Sequence, residues 1–141
     1  MLSFICSDLK DISKYAKVSD YAYKTMKHLL PGPYTFILPA AKLVPKKLWS
    51  RRKTVGIRIP DHKVALKIVE GLGNPIISTS ATTRKGDLLI NPYEIKSVFE
   101  FQVDLMLASG NLSGKPSSVI DLSDEEPVIV REGAGDISIF A

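Results

Sequence analysis

Residues 54–80, TVGIRIPDHKVALKIVEGLGNPIISTS, contain a strand, a helix and another strand in direct succession, and this order decides the fold class. Apolar and small or polar side chains alternate through residues 54–60, which is the pattern of a strand with one buried face. The spacing of apolar residues predicts a helix over 62–72. Residues 75–80 then form a second strand that leads into a polar loop. Strands that alternate with helices predict an α/β layered domain.

The sequence before this stretch repeats the alternation. Residues 3–6 predict a short strand, and residues 8–17 predict a helix with an aspartate as its N-cap. A second helix begins at Ser19 and stops at Pro31-Gly32-Pro33, because proline cannot continue a helix and glycine accepts the turn that ends it. The β-branched and aromatic residues 34–38 then predict a strand.

The sequence after residue 80 predicts one more helix and three more strands. Asn91 followed by proline is a typical helix start, so we predict a helix over 92–100. The apolar run 103–108 predicts a buried strand. Residues 118–121 and 128–131 predict two further strands, which we expect to form antiparallel pairs near the C-terminus.

Composition excludes several classes of protein. The single cysteine excludes an internal disulfide framework and a cysteine-based zinc site. No apolar run approaches the roughly 18 residues of a membrane-spanning helix, and residues 1–8 lack the basic-then-apolar order of a signal peptide. His28 and His62 have no metalloprotease spacing, and no glycine-rich phosphate loop is present. We therefore expect a cytoplasmic domain without a membrane segment.

Positive charge is concentrated in the first half of the chain. Residues 1–63 hold 13 Lys and Arg against 4 Asp and Glu, whereas residues 64–141 hold 6 against 11. A basic cluster attracts the phosphates of a nucleotide or an RNA, although a lysine-rich stretch can also be a solvated face. The candidate RNA-binding residues in its densest part are Lys46, Lys47, Arg51, Arg52 and Lys53.

Polar side chains stand where predicted strands meet loops. In open α/β sheets ligands bind at such strand ends, where hydroxyls, amides and arginines can hold phosphate or carboxylate oxygens. Serines after a strand also occur in ordinary turns, so each residue alone supports either interpretation. The residues at strand ends are Arg58, Ser78, Ser80, Ser117, Ser118 and Arg131.

Taken in chain order, a set of these stretches resembles the sequence blocks of the YrdC-like domain family, and the spacing is closest to its YciO-type branch. The resemblance extends from about Phe4 to the C-terminus. The blocks are Pro31–Leu38 (PGP-(Y/F)-T), Thr54–Pro60 (VGIR-P), Ile77–Ala81 ((S/T)xSAN), Pro116–Asp121 (PST-V-D) and Val130–Gly135 (xREG-G).

The resemblance implies a twisted open mixed sheet with flanking helices and a concave basic cavity. It also implies L-threonylcarbamoyladenylate synthesis, in which ATP with Mg²⁺, L-threonine and bicarbonate give threonylcarbamoyl-AMP and pyrophosphate for a tRNA modification. By the same resemblance, ATP would contact Thr54, Ser80 and Arg131, and threonine would contact Arg58, Ser78 and Ser117. No residue is implied as a covalent nucleophile, and none as a metal ligand.

Two departures from the family pattern leave alternatives open. Relative to the family, the single domain 1–141 would be truncated at its N-terminus, without the KxR…KP portion. Thr82 also stands where the family has asparagine. A non-catalytic nucleotide- or double-stranded-RNA-binding protein, and a folded domain without a ligand, are therefore the alternatives to a synthase. Because a truncated sheet would leave an edge exposed, we also expect a homodimer or larger species.

Overall fold

The computed structural model describes residues 2–10 and 12–141, and these form strands and helices in the predicted alternation. None of the helices in this part of the chain has both the length and the apolar character needed to cross a bilayer. The strands are β1 (Ser3–Ile5), β2 (Tyr34–Pro39), β3 (Thr54–Arg58), β4 (Ile76–Ser78), β5 (Ser118–Asp121) and β6 (Val128–Arg131). The α-helices are α1 (Asp20–Leu29), α2 (Lys63–Leu72) and α3 (Pro92–Phe99).

The strands form one mixed sheet in the order β4-β1-β3-β2-β5-β6. Strand β1 is parallel to β3 and β2 is parallel to β5, whereas the other three neighbouring pairs are antiparallel. The mixed α/β sheet and the antiparallel pair near the C-terminus are as predicted. Strand β4 adds an antiparallel edge beside β1, so the quoted strand–helix–strand stretch does not form a parallel crossover.

The two faces of the sheet differ in chemistry because side chains alternate along each strand. One face carries the hydrophobic core, in which Phe36, Ile57 and Ile120 are fully buried with Met26 of α1. The other face carries the small or polar Ser3, Thr35 and Gly56 together with the buried apolar Ile37 and Val119. We call it the polar face, because the serines, threonine and arginines described below lie on it.

Local signals set the ends of the helices. The side chain of Ser19 accepts a hydrogen bond from the amide of Ala22 at 3.1 Å and caps α1, as the sequence predicts. Beyond α1, Gly32 allows a turn that another residue would block, because a Cβ there would lie 2.4 Å from the carbonyl oxygen of Leu29. The amide of Gly32 donates to the carbonyl of Ile59 at 3.0 Å, which joins this turn to the end of β3.

Two predicted elements are wrong. In place of a helix over 8–17 there is a single 3-10 turn at Ile12–Lys14, and one predicted helix residue, Asp11, lies outside the described residues. The end of this segment instead bonds to the last residue of β2, where the amide of Lys17 donates to the carbonyl of Pro39 at 2.8 Å. The run 103–108 forms no strand, since no neighbouring strand pairs with it, and its Leu105 is 75% exposed.

The chain divides into two compact units, one of residues 1–79 with 117–141 and the other of residues 80–116. The first unit contains the whole sheet, and the second contains α3. Strand β6 is one edge of the sheet, and all four of its residues are exposed. An open edge of this kind can pair with another chain, and the homodimer stays a prediction.

Candidate anion-binding site

A row of small polar residues crosses the polar face at one end of the sheet. Ser3 is paired with Gly56 on one side and with Ser78 on the other, and the two serine Oγ atoms lie 3.2 Å apart. A Cβ at Gly56 would lie 3.2 Å from both Ser3 Cβ and Thr35 Cγ2. The row continues from Thr35 Oγ1 to Ser117 Oγ, which are 2.8 Å apart. The hydroxyls thus form an almost continuous polar line across the strands.

Arg131 lies at the end of this row. It is the last residue of β6, and its Nε and Nη2 donate to the carbonyl oxygen of Ser117 at 3.1 and 2.7 Å. Nη2 also lies 3.3 Å from Ser117 Oγ. Because neutral oxygens accept all three hydrogen bonds, they orient the exposed guanidinium without neutralising its charge.

Arg58 is the second cation of this end. It closes β3 and lies two residues after Gly56, on the same face. Its Nε is buried and has no hydrogen-bond partner among the described residues. Burial and, second, the nearby charge of Arg131 hold the pKa of the Arg58 guanidinium below its ordinary value. The two arginines therefore create a local excess of positive charge.

No acidic side chain within residues 2–10 and 12–141 compensates that charge. In the described part of the chain, neither Arg58 nor Arg131 forms an ion pair with a carboxylate. A buried donor without a partner is uncommon in folded proteins, and an anion is the partner that an arginine holds best. The arrangement is therefore suited to a carboxylate or a phosphate placed between the arginines and the hydroxyl row.

Of the other two predicted ligand residues, Thr54 lies away from this row. Thr54 is at the opposite end of β3, four residues before Arg58 and about 13 Å from it at the usual strand rise. It projects from the same face, and its Oγ1 lies 2.7 Å from Ser50 Oγ. Ser80 is exposed and begins the second compact unit. Arg58, Ser78, Ser117 and Arg131 thus lie along the same end of the sheet, and Thr54 lies at the opposite end.

The predicted RNA-binding residues are all exposed and precede β3, at the end of the sheet opposite to Arg58. One of them differs from the others. Arg52 Nη1 lies 3.2 Å from Asp121 Oδ2, and Arg52 Nη2 lies 3.1 Å from Asp124 Oδ2. Two carboxylates thus already neutralise Arg52, which makes it the least available member of the basic cluster.

Sequence reasoning missed part of the polar row. The sequence predicts only strands at Thr35 and Ser3, yet both lie on the polar face near the arginines and are buried. The signal that could have identified them is alternation, because both lie on the strand positions that point away from the apolar core. No group of three or more His, Cys, Asp or Glu side chains within residues 2–10 and 12–141 could hold a metal ion.

Comparison with known proteins gives relatives of one family. The Sua5/YciO/YrdC family profile, described as "Telomere recombination", matches residues 1–133. An uncharacterized protein of Haemophilus influenzae is 44% identical over 141 residues, which cover 98% of this chain and 68% of that protein. The uncharacterized protein YciO of Escherichia coli K12 is 44% identical over 140 residues, with the same coverage. The chain therefore spans about two thirds of the length of these relatives.

Solved structures give the same relationship. The crystal structure of E. coli YciO matches with a TM-score of 0.95 at 43% identity, covering 99% of this chain and 69% of that one. The crystal structure of Pyrococcus abyssi Sua5 complexed with L-threonine matches with a TM-score of 0.87 at 28% identity, covering 94% of this chain and 39% of that one. A P. abyssi threonylcarbamoyl-AMP synthase is 30% identical over 118 residues, 83% of this chain and 35% of that protein. These matches confirm the fold class and the family resemblance.

Proposed function

The chain belongs to the Sua5/YciO/YrdC family, and from this premise we propose that it is an L-threonylcarbamoyladenylate synthase-like protein. The reaction would join ATP, L-threonine and bicarbonate into threonylcarbamoyl-AMP and release pyrophosphate and water, for the N6-threonylcarbamoyladenosine modification of tRNA. Family members named as threonylcarbamoyl-AMP synthases, and a Sua5 structure complexed with L-threonine, support this assignment.

The observation that carries the proposal is the uncompensated charge of Arg58 and Arg131. Arg58 has a buried Nε without a partner, and its pKa is lowered by burial and by Arg131. The substrates supply what this site lacks, because threonine carries a carboxylate, and its carbamate and ATP are anions. A bound carboxylate or phosphate would accept the free Nε–H and separate the two positive charges.

The residues divide between two substrates in this proposal. Arg58 would hold the threonine carboxylate, with the hydroxyls of Ser78 and Ser117 as further partners. ATP would bind through Arg131 and Ser80, and also through Thr54 at the far end of the same strand face. Mg²⁺ would arrive on the triphosphate and offset part of its charge.

The chemical step needs orientation and charge neutralisation and no covalent intermediate on the protein. The amine of threonine first forms a bond to the carbon of bicarbonate, and water leaves to give the carbamate. An oxygen of the new carbamate group then forms a bond to the α-phosphorus of ATP, and the bond from that phosphorus to the pyrophosphate oxygen breaks. Arginines preorganised by neutral hydrogen bonds, as Arg131 is by Ser117, stabilise negative charge that develops during such a transfer.

The proposal is tested by pyrophosphate release and by mass spectrometry of the adenylate product. We expect release only when ATP, Mg²⁺, threonine and bicarbonate are all present, and we expect Arg58→Met to abolish it. Arg52→Met is the matched control and should keep the wild-type rate, since Arg52 is already paired. Absence of product with all four components, at protein concentrations that bind ATP, would overturn the synthase proposal.

A second candidate function is non-catalytic binding of a nucleotide or of double-stranded RNA, including tRNA. The exposed residues Lys46, Lys47, Arg51 and Lys53 favour it, because they cluster on one segment before β3. Binding would depend on phosphate contacts and fall steeply with salt. If Lys46, Lys47 and Arg51 are all changed to Glu and RNA affinity at low salt does not fall, this assignment is wrong.

A further inference from the structure

The turn that follows Arg131 is fastened to the sheet by one buried serine. Ser118 is fully buried, and its Oγ accepts a hydrogen bond from the amide of Gly133 at 3.0 Å. The same hydroxyl donates to the carbonyl oxygen of Gly135 at 2.6 Å. A single side chain thus holds both sides of the turn, and neither of these backbone groups has to find another partner.

Tyr34 holds the same turn from the neighbouring strand. It is paired in register with Ser118, and its hydroxyl donates to the carbonyl oxygen of Asp136 at 3.1 Å. Its ring lies directly against Gly135, where a Cβ would come within 2.5 Å of a ring carbon. Only glycine fits between the turn and the ring, so the path of the chain after Arg131 is closely defined.

Two adjacent residues therefore restrain Arg131 and the turn after it from opposite faces of the sheet. The carbonyl oxygen of Ser117 accepts the hydrogen bonds from the guanidinium on the polar face, and the hydroxyl of Ser118 fixes the following backbone on the core face. Arg131 is the last residue of an exposed edge strand and has a strand neighbour on one side only. Without the fixed turn, this end of β6 would be free to fray.

We propose that Ser118 is a positioning residue for Arg131, and that Tyr34 assists it by fixing the far end of the turn. The inference rests on the proposed function, in which Arg131 binds phosphate. Ser118 itself touches no ligand in this account, because it lies on the core side of β5. It acts by holding the guanidinium where Ser117 can orient it.

The first test uses the free protein. The order parameter of the Arg131 Nε–H, measured by ¹⁵N NMR relaxation, should fall in Ser118→Ala and stay near the wild-type value in Ser118→Thr, which keeps the hydroxyl. Ser19→Ala is the matched control, because it also removes a serine oxygen that accepts a backbone N–H, at the start of α1. An unchanged Arg131 order parameter in folded Ser118→Ala would overturn the inference. If that variant does not fold, Tyr34→Phe removes only the bond to Asp136, and an unchanged value there would overturn it.

The second test measures affinity for inorganic triphosphate. Ser118→Ala should weaken binding by about two- to tenfold, because an Arg131 guanidinium that is no longer held in place loses part of the energy of its hydrogen bond to phosphate. In an Arg131→Ala background the same substitution should have no further effect, because Ser118 acts through Arg131. Equal losses in both backgrounds would contradict the inference. Failure of the wild-type protein to bind triphosphate would count against the proposed function, while the order parameter would still decide the positioning role.

Discussion

Arg52 and Arg58 lie at opposite ends of β3, and they differ in exposure and in their charged partners. Arg52 precedes β3, its side chain is 66% exposed, and two carboxylates pair with it. Arg58 ends β3 and has a buried Nε without a partner among the described residues. Water could satisfy the exposed Arg52, yet it has protein partners, whereas the buried Nε of the half-buried Arg58 has none within residues 2–10 and 12–141. The candidate ligand end is therefore marked by an arginine without a carboxylate partner, and not by positive charge alone.

The two ends of the sheet therefore have different roles in this account. At the Arg52 end, Asp121 and Asp124 join the segment before β3 to the end of β5 and the turn after it. At the Arg58 end, neutral hydroxyls and a second arginine surround the charge. The first arrangement is complete within the protein, and we propose that an anion completes the second.

The largest expected effect is on nucleotide affinity. Arg131→Ala should weaken binding of MgATP about ten- to a hundredfold, because it removes a charge-assisted contact worth about 1.5–3 kcal/mol. Ser80→Ala should weaken it by less, since a hydroxyl contributes an uncharged hydrogen bond. Isothermal titration calorimetry measures both, with Arg52→Ala as the control that should bind as the wild type does. Equal losses in Arg131→Ala and Arg52→Ala would remove the distinction between the two ends.

The second prediction contrasts Arg58, which stays charged, with Cys6, a buried group that can stay neutral by keeping its proton. The amide of Cys6 donates to the carbonyl of Arg58 at 2.9 Å, and burial first, with the charge of Asp8 second, raises the pKa of its thiol from 9.0 to about 11. Between about pH 9 and 11 the unfolded chain loses this proton and the folded protein keeps it. The free energy of unfolding should therefore fall by about 2 kcal/mol over that window.

Denaturant unfolding at several pH values between about 8 and 11 checks this, because that range spans both pKa values. Cys6→Ala supplies the baseline, because it lacks the thiol but keeps every other titrating group. We expect the wild-type curve to decline more steeply than the Cys6→Ala curve. Parallel curves would show that Cys6 ionises equally well in both states.

The third prediction concerns the stability of the ligand-free protein. Arg58→Met should raise the free energy of unfolding by about 1–2 kcal/mol, because it removes a buried unpaired donor and the repulsion from Arg131. Arg52→Met should lower it by about 1 kcal/mol or less, since exposed ion pairs contribute little. Chemical denaturation of both variants without ligand compares them. A loss of stability in Arg58→Met as large as that in Arg52→Met would mean that Arg58 serves the fold.

The order of elements could be predicted from the sequence because local signals were strong. Pro31-Gly32-Pro33 and the β-branched residues after it correctly predicted the helix end and the start of β2. The strand predicted over 103–108 was wrong, because an apolar composition does not by itself provide a neighbouring strand to pair with. Arg58 and Arg131 could be chosen as candidate ligand residues from their positions at strand ends, and their ligands stay a prediction.

The compensation of charge could not be predicted, because it depends on contacts between distant residues. The Arg52–Asp121 pair joins residues 69 positions apart, and Ser118 reaches the turn at Gly135 only once β5 and β6 are paired. In the sequence Arg51 and Arg52 are equivalent neighbours. Only the folded protein distinguishes the arginine that is neutralised from the one that is not.

The smallest expected effect separates these two neighbours. Arg51 has no ion pair in the described part of the chain, so Arg51→Ala should reduce the salt dependence of RNA binding by the equivalent of about one phosphate contact. Arg52→Ala should reduce it by clearly less. Affinities for a double-stranded RNA at several salt concentrations give the slopes. The same change in slope for both variants would show that the carboxylates do not restrain Arg52.

Arg58 Nε lacks a partner among the described residues, whereas Arg52 pairs with two carboxylates. ¹⁵N NMR of the arginine Nε–H groups tests directly whether an anionic ligand becomes the partner of Arg58. MgATP is titrated into the wild-type protein in the presence of L-threonine and bicarbonate. We predict that the Arg58 resonance shifts and saturates, that Arg131 follows it, and that Arg52 stays in place. An Arg58 signal that does not move while the ligands bind, or an Arg52 signal that moves as far, would contradict the account.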